Sequence, residues 1–258
     1  MIKRRTVLQI FFFTLSVVLF YGIVKRILAD VHAYCPYSII CFGFKSFSWY
    51  IYPVVMISGI GILISSVFLG RWFCSFVCYF GILQEWLYGL FHIKSKKHFN
   101  FTNKIDNWLK QLKFLVLFMT AVMAIFGIYN YMKYCPNNII ASFNNFFEQI
   151  GDIGIISFIF LFLIIVLSIL IERFWCRYLC PYGALMVILI KISDKLKIKR
   201  SKLYRNLETC IDCYKCNYNC PMQINLLNEE FVNDAECLQC NRCQEVCPKK
   251  GTLTKNWR

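Results

Sequence analysis

The sequence predicts an all-α polytopic membrane protein of four transmembrane helices in two tandem repeats, followed by a small α+β domain at the C-terminus. Two observations predict this fold. Hydrophobic residues make up 58% of the 258 residues and the mean hydropathy is +0.52, which is typical of chains that contact lipid. The last fifth of the chain instead carries a dense, regular set of cysteines, which is typical of a small domain built around metal.

Four apolar runs are long enough to cross a bilayer, which takes about 20 residues of helix. These runs are residues 6–24, 49–69, 112–131 and 153–171. The first run resembles a signal peptide, but it is long and has no small-residue cleavage site before Lys25. We therefore interpret all four runs as retained transmembrane helices.

Basic residues predict the orientation of these helices. Lysines and arginines are concentrated before the first run, between the second and third runs, and after the fourth. The positive-inside rule places those sides in the cytoplasm, so we expect a multi-pass protein of the cytoplasmic (inner) membrane with both termini cytoplasmic. The formal net charge is +15, but its position beside the apolar runs favours anionic lipid headgroups over nucleic acid as the partner.

The two membrane repeats are visible as recurring cysteine segments. Residues 34–40 recur as 134–140, and residues 71–81 recur 102 positions later as 173–183. Each copy would contain two helices, so both copies would have the same orientation and pack about an axis along the membrane normal. The predicted domains are membrane repeat 1 at 1–93, a basic cytoplasmic linker at 94–110, membrane repeat 2 at 111–200, and a cysteine-rich domain at 201–258.

Two inner cysteine pairs recur at the predicted cytoplasmic boundary of the membrane. The pairs are Cys74 with Cys78 and Cys176 with Cys180. Cysteines four residues apart share one helix face, so the four side chains are candidates for an additional metal or cluster site, or for a thiol relay. Packing of small, soft side chains between helices is the alternative. The charges of Arg71 and Arg173 beside them predict thiolates with a lowered pKa.

An outer cysteine pair, Cys35 and Cys135, also recurs between the repeats. Across the same axis this pair would form a disulfide if the outer compartment is oxidising, or it would bind a metal or cluster. Cys41 has Ala141 as its counterpart, so we interpret Cys41 as a packing residue.

The C-terminal cysteines form the same run twice. Each run reads Cys-x2-Cys-x2-Cys-x3-Cys-Pro, first from Cys210 to Pro221 and then from Cys237 to Pro248. Two such runs in tandem predict two [4Fe-4S] clusters, since the fourth ligand of each cluster comes from the other run. Zinc is the alternative, but it explains neither the third cysteine step nor the prolines. The predicted ligand sets are Cys210, Cys213, Cys216 and Cys247 for one cluster, and Cys237, Cys240, Cys243 and Cys220 for the other.

Residues 205–254 resemble bacterial two-cluster ferredoxins, which implies a ferredoxin-like α+β domain. Together with the Arg-x2-Cys-x3-Cys elements at Arg71 and Arg173, the chain resembles the membrane ferredoxin subunits of periplasmic nitrate reductase systems (NapH type). That family usually has proline where this chain has Tyr79, and the outer cysteine loops are not part of its pattern. The resemblance implies an electron-transfer subunit of an oxidoreductase, passing electrons between a quinol or membrane partner and iron–sulfur clusters.

Functions from different classes agree with these features. The first is a membrane-anchored electron-transfer protein between a cytoplasmic or quinone donor and redox partner proteins. Gln84 and Glu85 are its candidate proton acceptors for quinone chemistry, with an amphipathic segment at the membrane interface as the alternative explanation. The second function is a thiol or metal redox protein that delivers reducing equivalents to disulfides or copper at the outer face, and a redox sensor is a third. No histidine lies within an apolar run, which argues against haem held by two histidines in the bilayer.

Overall fold

The computed structural model describes residues 4–24, 53–91, 103–126, 159–227 and 230–257. The predicted outer cysteines Cys35 and Cys135 lie outside these residues. Within the described part, seven α-helices precede residue 200. They are α1 (Arg4–Val24), α2 (Pro53–Leu69), α3 (Trp72–Phe76), α4 (Tyr79–Phe91), α5 (Asn103–Ile125), α6 (Ile159–Leu170) and α7 (Pro181–Lys195). A π-helical turn, Trp175–Leu179, lies between α6 and α7.

After α7 the chain forms a small domain around an antiparallel sheet. Its elements are β1 (Ser201–Arg205), α8 (Lys215–Tyr218), β2 (Phe231–Val232), α9 (Arg242–Val246) and β3 (Leu253–Trp257). The strand order is β2-β1-β3, with Leu203 opposite Val232 and Ser201 opposite Trp257. The helices α8 and α9 pack against each other, and each begins inside one of the cysteine runs.

Helix α7 begins directly after an inner cysteine. Cys180 has an extended backbone (φ −68°, ψ 109°) and Pro181 is the first helical residue, a position where the missing N–H of proline costs nothing. The Cys180 Sγ accepts a hydrogen bond from the Gly183 N–H at 3.3 Å. Cys180 is therefore fixed at the N-terminus of α7.

The prediction of four transmembrane helices is wrong. Among the described residues, one helix is long and apolar enough to cross a membrane, namely α5 over Ile105–Ile125. The apolar parts of α1, α2 and α6 are shorter. They cover Arg5–Leu15, Gly59–Leu69 and Ile159–Leu170.

Apolar composition overestimated the number of spans, and α1 shows the physical reason. In α1, the side chains of Arg5 and Gln9 are buried and bind Glu85 of α4. A helix with polar side chains on a buried face is packed there against protein rather than lipid.

The buried core is continuous between the helices and the sheet. Cys74 and Met186 of the helical part belong to the same cluster of buried side chains as Leu203 and Leu238 of the C-terminal domain. Buried side chains in mutual contact form one core. The cysteine-rich domain therefore packs directly onto the helices.

Candidate functional site

The first cysteine cavity lies in the C-terminal domain and has a volume of about 380 Å³. It is lined by Cys210, Cys213 and Cys216 of the first run and by Cys247 of the second. Cys213 is exposed and Cys216 is buried. The cavity therefore opens to solvent at Cys213.

The second cysteine cavity has a volume of about 440 Å³. Like the first cavity, it takes three of its cysteines from one run and the fourth from the other run. It is lined by Cys237, Cys240 and Cys243 together with Cys220 of the first run. The structure thus groups the eight cysteines into the same two sets as the spacing does, while ligation itself stays a prediction. None of the four cysteines of this cavity is exposed, whereas Cys213 of the first cavity is.

The two cysteine runs bend their backbones in the same way. Asp212 and Tyr214 have φ values of 47° and 56°, and their equivalents Gln239 and Asn241 have 53° and 64°. A left-handed conformation costs a non-glycine residue about 1–3 kcal/mol. Its recurrence at equivalent positions indicates that the curvature of the chain around each cavity requires it.

A cavity lined by four thiols of this kind fits an iron–sulfur cluster better than a zinc ion. Zinc holds four sulfurs about 2.3 Å from a single point, yet no group of three or more His, Cys, Asp or Glu side chains in the described part is arranged for one metal ion. A [4Fe-4S] cluster spreads its four cysteine ligands over four irons. It therefore needs the sulfurs further apart, around a wider cavity.

The four inner cysteines lie near one another at the junction of the two repeats. Cys74 lies in α3 and Cys176 lies in the π-helical turn, and both are buried. The pKa of Cys78 is raised to about 12, mainly by burial and to a smaller extent by the neighbouring Cys176 and Cys74. The pKa of Cys180 is raised well above its ordinary value by burial and by the same neighbours. The structure therefore brings the cysteines of the two repeats together.

Arg71 and Arg173 act on the Cys176 thiol in the predicted direction, but the predicted net lowering of its pKa is wrong because burial outweighs them. Burial is the largest effect on Cys176, and its pKa is raised although Arg173 and Arg71 act in the opposite direction. Here the free-energy cost of removing a thiolate from water exceeds the stabilisation that the guanidinium charges give it. The bare thiols of Cys78, Cys176 and Cys180 are therefore protonated at neutral pH, and a bound metal would supply the charge that deprotonates them.

Two buried arginines cross between the repeats. Arg71 donates from Nη2 to the carbonyl oxygen of Cys176 at 3.1 Å, and Arg173 donates from Nη1 to the carbonyl oxygen of Cys74 at 2.7 Å. Both arginines are 0% exposed. Each repeat therefore holds the cysteine backbone of the other in place.

Two glycines leave the space that these crossed arginine contacts need. A Cβ atom on Gly81 would lie 2.9 Å from the carbonyl oxygen of Cys74, and one on Gly183 would lie 2.7 Å from Arg71 Nη2. Contacts below 3.0 Å force a neighbour to move. Gly81 and Gly183 occupy equivalent positions in the two repeats, and each lies beside the arginine and the cysteine carbonyl oxygen of one crossed contact.

The two arginines take their carboxylate partners from different parts of the chain. Arg173 pairs with Glu85 of α4 (Nη2–Oε2 2.6 Å), and Arg71 pairs with Glu236 of the C-terminal domain (Nη1–Oε2 2.5 Å). The residue 102 positions after Glu85 is Val187, which has no charge to offer Arg71. The C-terminal domain therefore supplies the carboxylate that the second repeat lacks.

Further polar contacts hold the C-terminal domain on the helices. They are Glu236 with Lys113, Arg242 with Glu172 (2.5 Å) and Glu85 (3.2 Å), and Gln223 with Arg177 (2.7 Å). Glu236 and Arg242 are adjacent in sequence to cysteines of the second cavity. The Arg173 guanidinium lies within electrostatic range of both Cys176 and Cys240. The second cavity, rather than the first, therefore faces the inner cysteines.

Glu85 was one of two candidate proton acceptors, and its surroundings in the structure favour the charged form of its carboxyl group. Burial alone would raise its pKa, but Arg173, Arg5 and Arg242 outweigh burial and lower the pKa to about 2. Glu85 and Gln84 are also 7% and 2% exposed, so they do not form the polar face of an interfacial helix. Glu85 is a carboxylate partner for three arginines, while its role as a proton acceptor and a quinone partner stay predictions.

Sequence reasoning missed the roles of Glu236, Glu172 and Lys113, and it did not predict that Arg71 pairs with a carboxylate of the C-terminal domain. A signal was present in the sequence. Lys113 lies inside the third apolar run, and Glu172 directly follows the fourth. A charge in such a position is costly unless it is paired, which indicates a partner elsewhere in the chain.

Three segments of the chain match known iron–sulfur domains. The family described as a 4Fe-4S binding domain matches residues 51–98 and 153–199, and the family described as a 4Fe-4S dicluster domain matches residues 202–248. The first family matches twice at a separation of 102 residues, which supports the internal repeat. The fold and the cysteine sites thus define an iron–sulfur protein with ferredoxin-type domains.

The chain is similar to two curated proteins over much of its length. It is 31% identical over 209 residues to "Putative electron transport protein YccM" of Escherichia coli (strain K12), covering 79% of this chain and 56% of that protein. It is 31% identical over 169 residues to "Uncharacterized protein MJ0750" of Methanocaldococcus jannaschii, covering 64% of each chain. The chain therefore spans about half to two thirds of the length of these relatives. No solved structure matches this chain. The matching families and relatives do not identify the NapH type of nitrate reductase systems in particular.

Proposed function

We propose that the protein is a membrane-associated electron-transfer protein with three iron–sulfur clusters. The observation that carries the proposal is a chain of ion pairs. Glu236 and Arg242, each next to a cysteine of the second cavity, pair with Arg71 and Glu85, and Arg71 in turn binds the backbone of Cys176. Bound clusters would supply one-electron transfer. The similarity to a relative named for electron transport supports the same function.

The proposed ligands are the cysteines of the three sites. They are Cys210, Cys213, Cys216 and Cys247 for the first cluster, Cys220, Cys237, Cys240 and Cys243 for the second, and Cys74, Cys78, Cys176 and Cys180 for the third. Four thiolates bring a concentrated negative charge into a buried site. At the inner site, Arg71 and Arg173 offset that charge and the packed C-terminal domain limits access of water.

The first cavity is the proposed contact point for a redox partner protein. It opens to solvent at Cys213, whereas the second cavity faces the helices. Exposed apolar side chains lie beside the opening at Ile211 and Tyr214. A partner that docks there would approach the first cavity without displacing the C-terminal domain from the helices.

A thiol relay through the inner cysteines is less well supported. Such a relay needs thiolates that a substrate can reach. Cys74 and Cys176 are 6% and 4% exposed, and burial raises the pKa of Cys176. These features suit metal ligands better than exchanging thiols.

Iron content separates the three-cluster proposal from its alternatives. We expect about 12 iron atoms per chain in anaerobically purified protein, four for each cluster. Cys176→Ser should reduce this to about eight, because the inner site loses one of its four ligands while the C-terminal sites are unchanged. The measurement is iron and acid-labile sulfide per chain.

Cys41→Ser is the matched control for this experiment. Its counterpart in the second repeat is Ala141, so the substitution removes a cysteine that the repeat does not require and should leave the iron content at the wild-type value. Wild-type protein with about eight iron atoms, unchanged in Cys176→Ser, would leave the inner cysteines without a cluster and contradict the proposal.

The exposed apolar side chains support attachment to the cytoplasmic membrane. Many large apolar residues are exposed on the long helices, among them Phe11 of α1, Ile57 of α2, Phe118 of α5 and Phe162 of α6. Exposed apolar surface of this extent is uncommon on soluble monomers. The basic residues that follow the helical part favour a cytoplasmic C-terminus.

After cell lysis, we expect the protein in the membrane fraction. It should resist a high-salt wash and be released by detergent, because apolar contacts are not screened by salt. In intact spheroplasts, a C-terminal tag should be protected from added protease while a periplasmic marker is digested. Recovery in the soluble fraction, or digestion of the tag, would contradict this proposal.

A further inference from the structure

The two repeats present different side chains to the inner cysteines. Gln84 of the first repeat lies with Nε2 3.7 Å from the Sγ of Cys176. The residue 102 positions later is Met186, and its Sδ lies 3.6 Å from the Sγ of Cys74. Both side chains are buried. Equivalent positions therefore reach across the junction in the same way, but one offers an amide and the other a thioether.

The orientation of the Gln84 amide is fixed by two backbone groups. Its Oε1 accepts a hydrogen bond from the Trp175 N–H at 3.0 Å, and its Nε2 donates to the Phe80 carbonyl oxygen at 3.3 Å. A backbone N–H only donates and a carbonyl oxygen only accepts. The amide therefore directs an N–H, and not its oxygen, toward Cys176.

Met186 cannot make the equivalent contact. A thioether sulfur is a weak acceptor and has no hydrogen to donate. In the structure the Cys74 thiol donates to the Met186 sulfur, a contact that ends when Cys74 becomes a thiolate. The asymmetry therefore persists, and increases, once the inner cysteines are ligands.

We propose that Gln84 is a positioning residue that hydrogen-bonds the ligand sulfur of Cys176 and raises the reduction potential of the inner site. This inference rests on the proposed third cluster. Reduction adds one electron from the reductant and no proton, so the site gains one negative charge. Hydrogen bonds to the ligand sulfurs are among the features that set the potential of an iron–sulfur site. An N–H directed at sulfur stabilises the added charge and so favours the reduced form.

Two substitutions with opposite expected signs test the proposal. Gln84→Met gives both repeats a thioether and should shift the inner-site potential to lower values. Met186→Gln gives both repeats an amide and should shift it to higher values. The measurement is an anaerobic redox titration of full-length protein with dithionite, followed by EPR, and the two C-terminal clusters serve as internal references that should not shift.

Gln9→Met is the matched control. Gln9 is also a buried glutamine, but its amide binds the Ser75 carbonyl oxygen and Glu85 rather than a cysteine. It should leave the inner-site potential unchanged.

The outcomes separate this inference from the proposed function. About 12 iron atoms per chain with no shift in either variant would overturn the role of Gln84 alone. About eight iron atoms in the wild type would overturn the third cluster and this inference with it. If Gln84→Met loses the inner iron, Met186→Gln decides the question, and an unchanged or lowered potential there would overturn the proposal.

Discussion

Replacing Glu236 with glutamine is expected to lower the temperature at which the protein loses its iron–sulfur absorbance by on the order of 10 °C. Glu236 is the carboxylate partner of both Arg71 and Lys113, and these two side chains are completely buried. Removing one partner of a buried ion pair costs roughly 3–5 kcal/mol. In a domain of this size, each kcal/mol shifts the unfolding temperature by about 2–4 °C.

The internal repeat provides a specific rescue of this variant. Val187 occupies the position that Glu85 has in the first repeat, and it packs beside Ala235, the residue before Glu236. Val187→Glu should destabilise the wild type, because it adds a second carboxylate to a buried pair. In the Glu236→Gln background the same substitution should recover part of the lost stability, since it returns a charge to Arg71.

A double-mutant cycle measures this coupling. We expect a coupling energy above about 1 kcal/mol, as found for residues that share one ion-pair network. Glu208→Gln, an exposed acid of the same domain, is the control and should leave the melting temperature unchanged. Additive effects of Val187→Glu and Glu236→Gln would show that position 187 does not reach Arg71.

The cysteine sets were predictable from the sequence because their information is local. Three of the four cysteines that line each cavity come from a short loop with fixed spacing, and the crossed ligation of two-cluster ferredoxins predicts the exchange of Cys220 and Cys247 between the runs. The grouping of the inner cysteines was predictable for a related reason. A segment that recurs after 102 residues places Cys74 and Cys176 at equivalent positions of one junction.

The polar contacts around these sites were not predictable from a single sequence. Arg5 and Glu85 are 80 positions apart, and Arg71 and Glu236 are 165 positions apart. No local pattern marks such a pair. Arg5 and Arg71 were instead counted as charges beside transmembrane helices, whereas the structure buries both in ion pairs.

The number of membrane spans was predicted wrongly for the same reason that the ion pairs were not predicted. Apolar composition records which side chains avoid water, but it does not distinguish contact with lipid from contact with protein. Helix α1 has exposed apolar side chains, yet it also directs Arg5 and Gln9 into a buried network with Glu85. The packing of α1 against α4 distinguishes the buried polar face of α1 from its exposed apolar face, and the sequence alone does not.

Replacing Glu85 with glutamine is expected to destabilise the protein by roughly 3 kcal/mol. The carboxyl group has an ordinary pKa of 4.5, and its three arginine partners, against the effect of burial, lower the pKa to about 2 in the folded protein. A carboxylate with a lowered pKa contributes its full stabilisation above the unfolded value, here above about pH 4.5, and this contribution is lost as the pH falls through 2. The whole effect is therefore present at neutral pH.

The pH dependence of this variant distinguishes a structural carboxylate from a proton acceptor. Between pH 6 and 8 the difference in melting temperature between wild type and Glu85→Gln should be constant, because Glu85 stays ionised and the pKa values of Arg173 and Arg242 are raised further above this range. A group that exchanges protons with a substrate near neutral pH would instead make the difference change across that range. The measurement is the loss of iron–sulfur absorbance on heating at several pH values, with Glu208→Gln as the control. A variant with wild-type stability and a pH-dependent loss of electron transfer would restore Glu85 as a proton acceptor and remove it from the ion-pair network.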